Sequence, residues 1–356
     1  MPARPSDPLE SLLEDLLRLP GLPGHEAPVR ARLEQAWRPL ADDLHVSPLG
    51  SLHALRRGAG QSPRPLLLLA AHMDAIGLMV TESVEGFLRV HPLGGFDARV
   101  LPGQPVVVHG RRPLPGVIVR PPPACLPAEI GQGVAPLEYL LVDVGLPAAQ
   151  IARLVRPGDR VAFDRAPLRL AEGLLSGPGL DNRASVVALT VCLRALAGRE
   201  HAWDVVAAAT TQEEISLAGA RTSAFALRPR MALAVDVTYA AGLGQPAHKT
   251  FALEGGPTNG WGPNLHPAVY RLIEQAAERA GIPVTVELTP EHSGTDAIAM
   301  QVVREGIPCG MVSIPLRYMH TPVEVVAWSD IERAGLLLAE LAAGLAPDAL
   351  EGLTWD

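Results

Sequence analysis

Two adjacent carboxylates, Glu213 and Glu214, close the stretch WDVVAAATTQEEISLAGA, which runs from Trp203 to Ala220. They follow an apolar run, Val205 to Ala209, of the length expected for a strand buried on both faces. Neighbouring side chains at a strand end point in different directions, so one carboxylate can bind a metal while the other faces the water on that metal. The dipeptide alone is more often just a solvated first helical turn favoured by the helix dipole. Four further polar candidates, His72, Asp181, Asp236 and His320, fall next to predicted strand ends or at a helix start. Singly each has an ordinary role: Asp181 as an N-cap, Asp236 as a turn residue, the histidines as hydrogen-bonded structural groups. Jointly, the ordinary reading needs five coincidences on one edge of one sheet. A set of His, His, Asp, Asp and Glu suits zinc, cobalt or manganese rather than calcium or a thiolate-loving metal. In RPLLLLAAHMD, His72 and Asp74 stand two apart at a strand terminus, a spacing that offers one ligand and a partner to orient it.

The elements that must position these residues follow from periodicity. Helical patterns cover about Asp7 to Leu19 and about Glu26 to Leu40, joined by Pro20-Gly21-Leu22-Pro23-Gly24. A buried strand lies within Arg64 to Asp74. From Ala75 to about Ala171 the character changes to short alternating segments such as GFLRVHPL, QPVVVHG, LPGVIVR and DRVAFD, punctuated by Gly and Pro. That pattern predicts a small all-β barrel or sandwich with little helix. Helix and strand alternate again from Leu180, with strands at Val205 to Ala209, Met231 to Val237, Val284 to Leu288 and Cys309 to Ile314. Helices are expected at about Asp181 to Ala197, Leu217 to Leu227, Asn264 to Ala280, from Thr295 to about Val303, and Ser329 to Ala343. The whole is an α/β fold, a mostly parallel sheet flanked by helices, interrupted by an inserted β domain. Residues 1–74 and 172–356 form the α/β domain, and residues 75–171 the insertion.

Composition narrows the function. The 356 residues exceed one typical core, and 48% are hydrophobic while only 4% are aromatic, so Leu, Val, Ala and Ile must fill the interior. Net charge is −8, with no basic block, which argues against nucleic-acid or anionic-membrane partners. Cys125, Cys192 and Cys309 give neither a disulfide framework nor a cysteine-based zinc site. The acidic, amphipathic start MPARPSDPLESLLEDLL lacks a signal-peptide apolar region, and no apolar run approaches the roughly 18 residues of a membrane span. A soluble, cytoplasmic protein is expected.

Seven segments make the reading specific: LPGLPGHE (Leu19 to Glu26), AHMDAIG (Ala71 to Gly77), LGGFDARVLPGQPV (Leu93 to Val106), GPGLDNR (Gly177 to Arg183), TTQEEISLAGA (Thr210 to Ala220), SGTDA (Ser293 to Ala297) and RYMHTPVEVV (Arg317 to Val326). In this order and over nearly the full length, the chain resembles the tetrahedral (deblocking, glutamyl) aminopeptidases, metal-dependent peptidases sometimes labelled endoglucanases. The resemblance implies the co-catalytic zinc peptidase fold with an inserted barrel-like dimerisation domain, and a dimer-based homo-oligomer, with a dimer and a tetrahedral dodecamer both open. It implies that Asp181 bridges two divalent ions, that His72 and Asp236 complete one site and Glu214 and His320 the other, that Glu213 is the general base, and that Asp74 orients His72. One departure is visible: many relatives carry a Pro-Pro-His loop where this chain has Pro122-Pro123-Ala124-Cys125, so no role is carried over to that loop.

The chemistry expected is peptide hydrolysis. Two ions about 3.5–4 Å apart lower the pKa of a shared water and polarise the scissile carbonyl. Glu213 then takes the proton of that water and passes it to the leaving amine. Asn182 and Arg183 stand equally well as supports of the site or as helix-start packing, and Thr295 and Asp296 are expected to cap their own helix rather than line the pocket. Three other readings are open: an amidohydrolase or deacylase using the same centre, a non-catalytic assembly protein, and a glycosidase. The second is disfavoured because every proposed ligand and the base are present, and the third because glycosidases use two carboxylates without metal, whereas a metal site explains the adjacent Glu213 and Glu214 better.

Overall fold

The computed structural model describes residues 7–351 and 355. Helices α1 (Pro8–Arg18) and α2 (Ala27–Trp37) come first. Asp7 caps α1 by accepting the Leu9 N–H at 2.8 Å, and proline opens the helix where no N–H is needed. A hairpin of β1 (Asp43–Val46) and β2 (Leu52–Arg56) leads to β3 (Leu66–His72). Then come β4 (Gly77–Val84), β5 (Phe87–Leu93), β6 (Pro105–His109), β7 (Pro113–Val119), β8 (Leu141–Asp143), α3 (Ala148–Leu154) and β9 (Arg160–Phe163). The chain returns through β10 (Leu168–Arg169) and β11 (Leu174–Gly177) to α4 (Leu180–Leu196), β12 (Asp204–Thr210), the single turn α5 (Glu213–Ser216) and α6 (Ala218–Leu227). It ends with β13 (Met231–Tyr239), β14 (Thr258–Trp261), α7 (Pro267–Ala280), β15 (Thr285–Leu288), α8 (Asp296–Gln301), β16 (Cys309–Arg317), β17 (Glu324–Ala327) and α9 (Trp328–Gly344).

One mixed sheet has the order β1-β2-β12-β3-β13-β16-β17-β11-β10, with β14 and β15 attached beside β16. Its centre, β12-β3-β13-β16, is parallel. Antiparallel strands flank it on both sides. The continuous apolar run of β3 is explained by cover on both faces. Leu67, Leu69 and Ala71 enter the core shared with α1, α2, α4 and α9, whereas Leu68 and Ala70 turn to the side of α6 and α8. That second side is lined by small residues, Ala70, Ala208, Ala232 and Ala234, which let two short helices lie close. Beyond those helices the face opens, at the carboxyl ends of the strands, on a cleft.

Strands β4 to β9 close into a barrel in the order β4-β5-β8-β7-β6-β9. Alternate residues such as Leu78 and Val80, Leu88 and Val90, and Val106 and Val108 fill it, as the period of two requires. The expectation of little helix in this region meets one exception, α3, whose Ile151 plugs the barrel core. Two short pieces of the large sheet, the β1–β2 hairpin and β17, carry too few residues for an alternation to register in the sequence. All three cysteines are free, and among the described residues no helix is long and apolar enough to cross a membrane.

Candidate metal centre

The parallel centre of the sheet places its carboxyl ends side by side, and the chemistry collects there. His72 ends β3, Glu213 and Glu214 open α5 just after β12, Asp236 lies near the end of β13, and His320 follows β16. Asp181 comes from the start of α4, where its peptide bond to Asn182 is cis. The Nε2 atom of His72 lies 3.2 Å from Asp181 Oδ1, 3.8 Å from Glu213 Oε2 and 3.9 Å from Asp236 Oδ1. On the other side, Nε2 of His320 lies 3.4 Å from Asp181 Oδ2 and 3.6 Å from Glu214 Oε2. Asp181 thus presents one oxygen to each histidine. All six residues named from the sequence meet here.

Charge defines the character of the site. Burial pushes the carboxyl of Glu213 up to about 9 and that of Asp236 up to about 8, and raises Glu214 well above the ordinary range, with neighbouring carboxylates adding to the burial in each case. Burial works against a charged His72, yet the surrounding Glu213, Asp181, Asp74 and Asp236 overcome it and hold the imidazole well above its usual value. Asp181 is also penalised by burial, but the two imidazoles pull it down. The cluster therefore concentrates buried carboxylates whose charge a bound cation would offset. The buried guanidinium of Arg183 feels the carboxylates of Asp74 and Glu324, and it donates to the carbonyls of Leu16 and Leu19. The other arginine near the motifs, Arg317, donates to the Ala241 carbonyl at 2.7 Å.

A divalent pair fits this donor set. His72, Asp181 and Asp236 offer atoms all within 4.8 Å of one another, as do Asp181, Glu214 and His320, and as do His72, Glu213 and Glu214. The Oε1 atom of Glu214 is buried without a hydrogen-bond partner, an orphan that a cation would satisfy. Oxygen and imidazole donors without sulfur suit zinc, cobalt or manganese.

Three buried carboxylates hold this arrangement, and each works through backbone N–H groups. Asp74 was expected to orient His72; the closer contact to His72 Nδ1 is the Asp74 carbonyl oxygen at 3.1 Å, with the carboxylate at 3.6 Å. The Asp74 carboxylate instead accepts the N–H of Glu213 at 3.1 Å on one oxygen and of Glu214 at 3.2 Å on the other. Glu324 accepts the N–H of Asp181 at 3.1 Å and of His320 at 3.0 Å. Glu26 accepts the N–H of Gln212 at 3.1 Å and of Gly24 at 2.7 Å. Gln212 and His320 both sit in the left-handed region, with φ near +59°, a conformation costing about 1–3 kcal/mol for a residue with a side chain. Each is gripped by one of these carboxylates. Glu26 and Glu324 lie inside motifs read from the sequence yet received no role there; the signal that could have found them is a carboxylate in a stretch otherwise apolar or turn-forming.

Asn182 donates to the Val235 carbonyl at 2.9 Å, so it ties α4 to the sheet, and Arg183 fastens α1. Thr295 caps α8 as expected, and it also lines the cleft. Asp296 is buried beneath, accepting a hydrogen bond from Thr210 Oγ1 at 2.6 Å, and burial raises it to about 6. From the barrel side, Gly94 and Gly95 approach the site more closely than a side chain would comfortably allow. A Cβ on Gly94 would stand 2.5 Å from the Ile76 side chain and 3.1 Å from Glu214 Oε2, and one on Gly95 would stand 3.0 Å from His320 Nδ1. The cleft itself has a volume of about 760 Å³, and no Lys or Arg is among the described residues that line it.

The model of the M42 glutamyl aminopeptidase family matches residues 50–337. A lysyl aminopeptidase of Pyrococcus furiosus is 33% identical over 94% of this chain and 97% of its own length. Among solved structures, a TET aminopeptidase from the marine sediment archaeon Thaumarchaeota archaeon SCGC AB-539-E09 superposes with a TM-score of 0.91 at 29% identity, covering 98% of this chain and all of that one. The TET1 peptidase of Pyrococcus horikoshii, described as assembling into a tetrahedron or a large octahedral shell, gives a TM-score of 0.82 at 30% identity over 95% of this chain and all of that one.

Proposed function

The chain belongs to the M42 glutamyl aminopeptidase family, and from that premise we propose that it shortens small peptides from the amino terminus using two divalent ions, with Glu213 as general base. The observation that carries this reading is the pair of donor sets sharing Asp181: His72, Asp181 and Asp236 on one side, and Asp181, Glu214 and His320 on the other. Bound there, zinc, cobalt or manganese supplies Lewis acidity to the scissile carbonyl and brings water toward ionisation at neutral pH. Glu213, on the cleft wall beside both sets, accepts one proton from the attacking water at a carboxylate oxygen. It then delivers that proton to the peptide nitrogen as the C–N bond breaks. Asp74 grips the N–H groups of Glu213 and Glu214 together, so base and ligand are positioned as one unit. Glu324 does the same for Asp181 and His320.

The choice of terminus is electrostatic. Glu213 and Asp236 face the cleft and favour a charged α-amino group, whereas a terminal carboxylate calls for a clamping arginine. Arg183 and Arg317 are committed to backbone carbonyls elsewhere. We extend to this chain the homo-oligomeric assembly described for the Pyrococcus horikoshii relative, with the barrel making the dimer contacts. The test is a digest of one peptide and its N-acetylated twin, followed by mass spectrometry, with metal content measured on the same sample. Stepwise loss from the free amino terminus, abolished by chelation and restored by added metal, is expected. Loss of C-terminal residues, equal rates for the two peptides, or full activity without metal refutes the reading.

A further inference from the structure

Glu287, on β15, lines the same cleft at a distance from the metal ligands and belongs to none of the donor sets. Thr238 Oγ1 donates to its Oε1 at 2.6 Å, and Thr258 Oγ1 donates to its Oε2 at 2.6 Å. Both threonines are buried, at 4% and 0% exposure, so the carboxylate is held on two rigid posts. Hydroxyls satisfy one lone pair on each oxygen and neutralise no charge, and a carboxylate accepts about four hydrogen bonds in all. Among the described residues Glu287 forms no ion pair with a Lys or Arg, and no Lys or Arg lines the cleft. A negative charge is thus fixed in the cleft wall with open acceptor sites and no partner.

Its position gives the partner a length. Thr238 follows Asp236 by two residues in β13, so both point to the same face, about 6.7 Å apart along the strand. Glu287, bonded to Thr238, therefore sits one side chain away from a proposed metal ligand. A lysine side chain spans five bonds of about 1.5 Å from Cα to Nζ, roughly 6 Å when extended. Arginine reaches further with a planar fork that matches a carboxylate. A leucine side chain stops short, and a glutamate side chain would meet a like charge.

We infer that Glu287 is the specificity-determining residue of the cleft and selects substrates with a basic amino-terminal residue, lysine or arginine. This rests on the aminopeptidase reading above. The residue binds the substrate side chain and takes no part in bond breaking, so its loss acts on basic substrates alone. The substitution Thr238→Val keeps the charge and removes one post, and has a smaller effect in the same direction.

The test is a panel of aminoacyl-coumarin amides of Lys, Arg, norleucine and Glu with the metal-loaded enzyme, its Glu287→Gln variant and its Thr238→Val variant. Norleucine matches lysine in length and lacks the charge. Wild type is expected to favour Lys and Arg over norleucine by at least about tenfold in kcat/KM, which is about 1.4 kcal/mol. Glu287→Gln should lose about ten- to a hundredfold on Lys and Arg while norleucine stays within threefold. Free L-lysine should inhibit wild type more tightly than L-norleucine, and the difference should vanish in Glu287→Gln. Turnover of norleucine with no preference for Lys or Arg overturns the inference and leaves the aminopeptidase reading standing. Equal losses on all substrates in Glu287→Gln also overturn it. No turnover of any substrate by metal-loaded enzyme sinks the aminopeptidase reading, and this inference with it.

Discussion

Substituting Glu324 by Gln tests whether a residue that touches neither substrate nor metal sets the geometry of the centre. Glu324 is 1% exposed, and its two oxygens accept the N–H of Asp181 and the N–H of His320. Gln is nearly isosteric but has one acceptor oxygen, so whichever way its amide points, its NH2 group faces a backbone N–H. One hydrogen bond to a charged acceptor is lost, worth about 1.5–3 kcal/mol, and a buried N–H is left unsatisfied. Relief of the buried charge offsets part of this in the metal-free protein, whereas in the loaded protein the nearby cations favour the charged form. The left-handed backbone of His320, costing about 1–3 kcal/mol, also loses its restraint. A net loss of about 1.5–3 kcal/mol in the loaded state corresponds to metal binding weaker by about ten- to a hundredfold, the range usual for partners that orient ligands. Competition against a chelating dye measures this directly, and a thermal melt shows that the variant is folded. At saturating metal, turnover should recover to within about tenfold of wild type, because Glu213 and Asp74 are untouched. A metal affinity within twofold of wild type in a folded Glu324→Gln protein would refute the reasoning.

Glu213→Gln should retain both ions by elemental analysis and lose at least about a hundredfold in kcat, since general-base contributions are about 10²–10⁴; retained turnover would remove Glu213 from its role. Asp181→Ala should lose metal as well as activity, because one residue serves both donor sets; undiminished metal content would contradict the shared site. Replacing residues 80–159 by a two-residue turn joins β4 to β9, which are already paired through Met79 and Arg160, and should give a smaller species by light scattering if the barrel makes the subunit contacts. Burial holds His53 down at about 4, with His45 adding to it, below its unfolded value of 6.5, so the neutral ring stabilises the fold above pH 6.5 and that stability is lost as pH falls through 4. The shift corresponds to at most about 3 kcal/mol. His53→Gln, which can keep the contact to Ser223, should narrow the difference in unfolding free energy between pH 4 and pH 7, and an unchanged difference would refute the assignment.

Much of the fold could be read locally, because local periodicity reports burial. The run LLLLAAH had to be a strand covered on both faces, and Leu67 and Leu68 do enter opposite cores. The short alternating segments between Ala75 and Ala171 had to be small strands, and six of them close a barrel. The six polar residues singled out also stood next to strand ends or, for Asp181, at a helix start in the sequence, and they meet at the edge of the parallel centre. Residue type and position along an element were enough to nominate them.

What the sequence by itself could not determine is what a carboxylate meets once the chain closes. Asp74 looked like a partner for His72, two residues away, and it does face that ring at 3.6 Å, but no local pattern shows that its oxygens also accept the N–H groups of Glu213 and Glu214, 139 and 140 residues distant. Glu324 stood in the motif RYMHTPVEVV with no role read for it, yet it reaches Asp181 across 143 residues. Glu287 was only one residue of the expected strand Val284 to Leu288, and it is Thr238 and Thr258, distant in the chain, that hold it. In each case the same side chain is a solvated surface charge or a buried anchor depending on which backbone donors pack against it. That choice is made by long-range packing, where an unsatisfied buried group is costly enough to decide the outcome, and no local pattern records it.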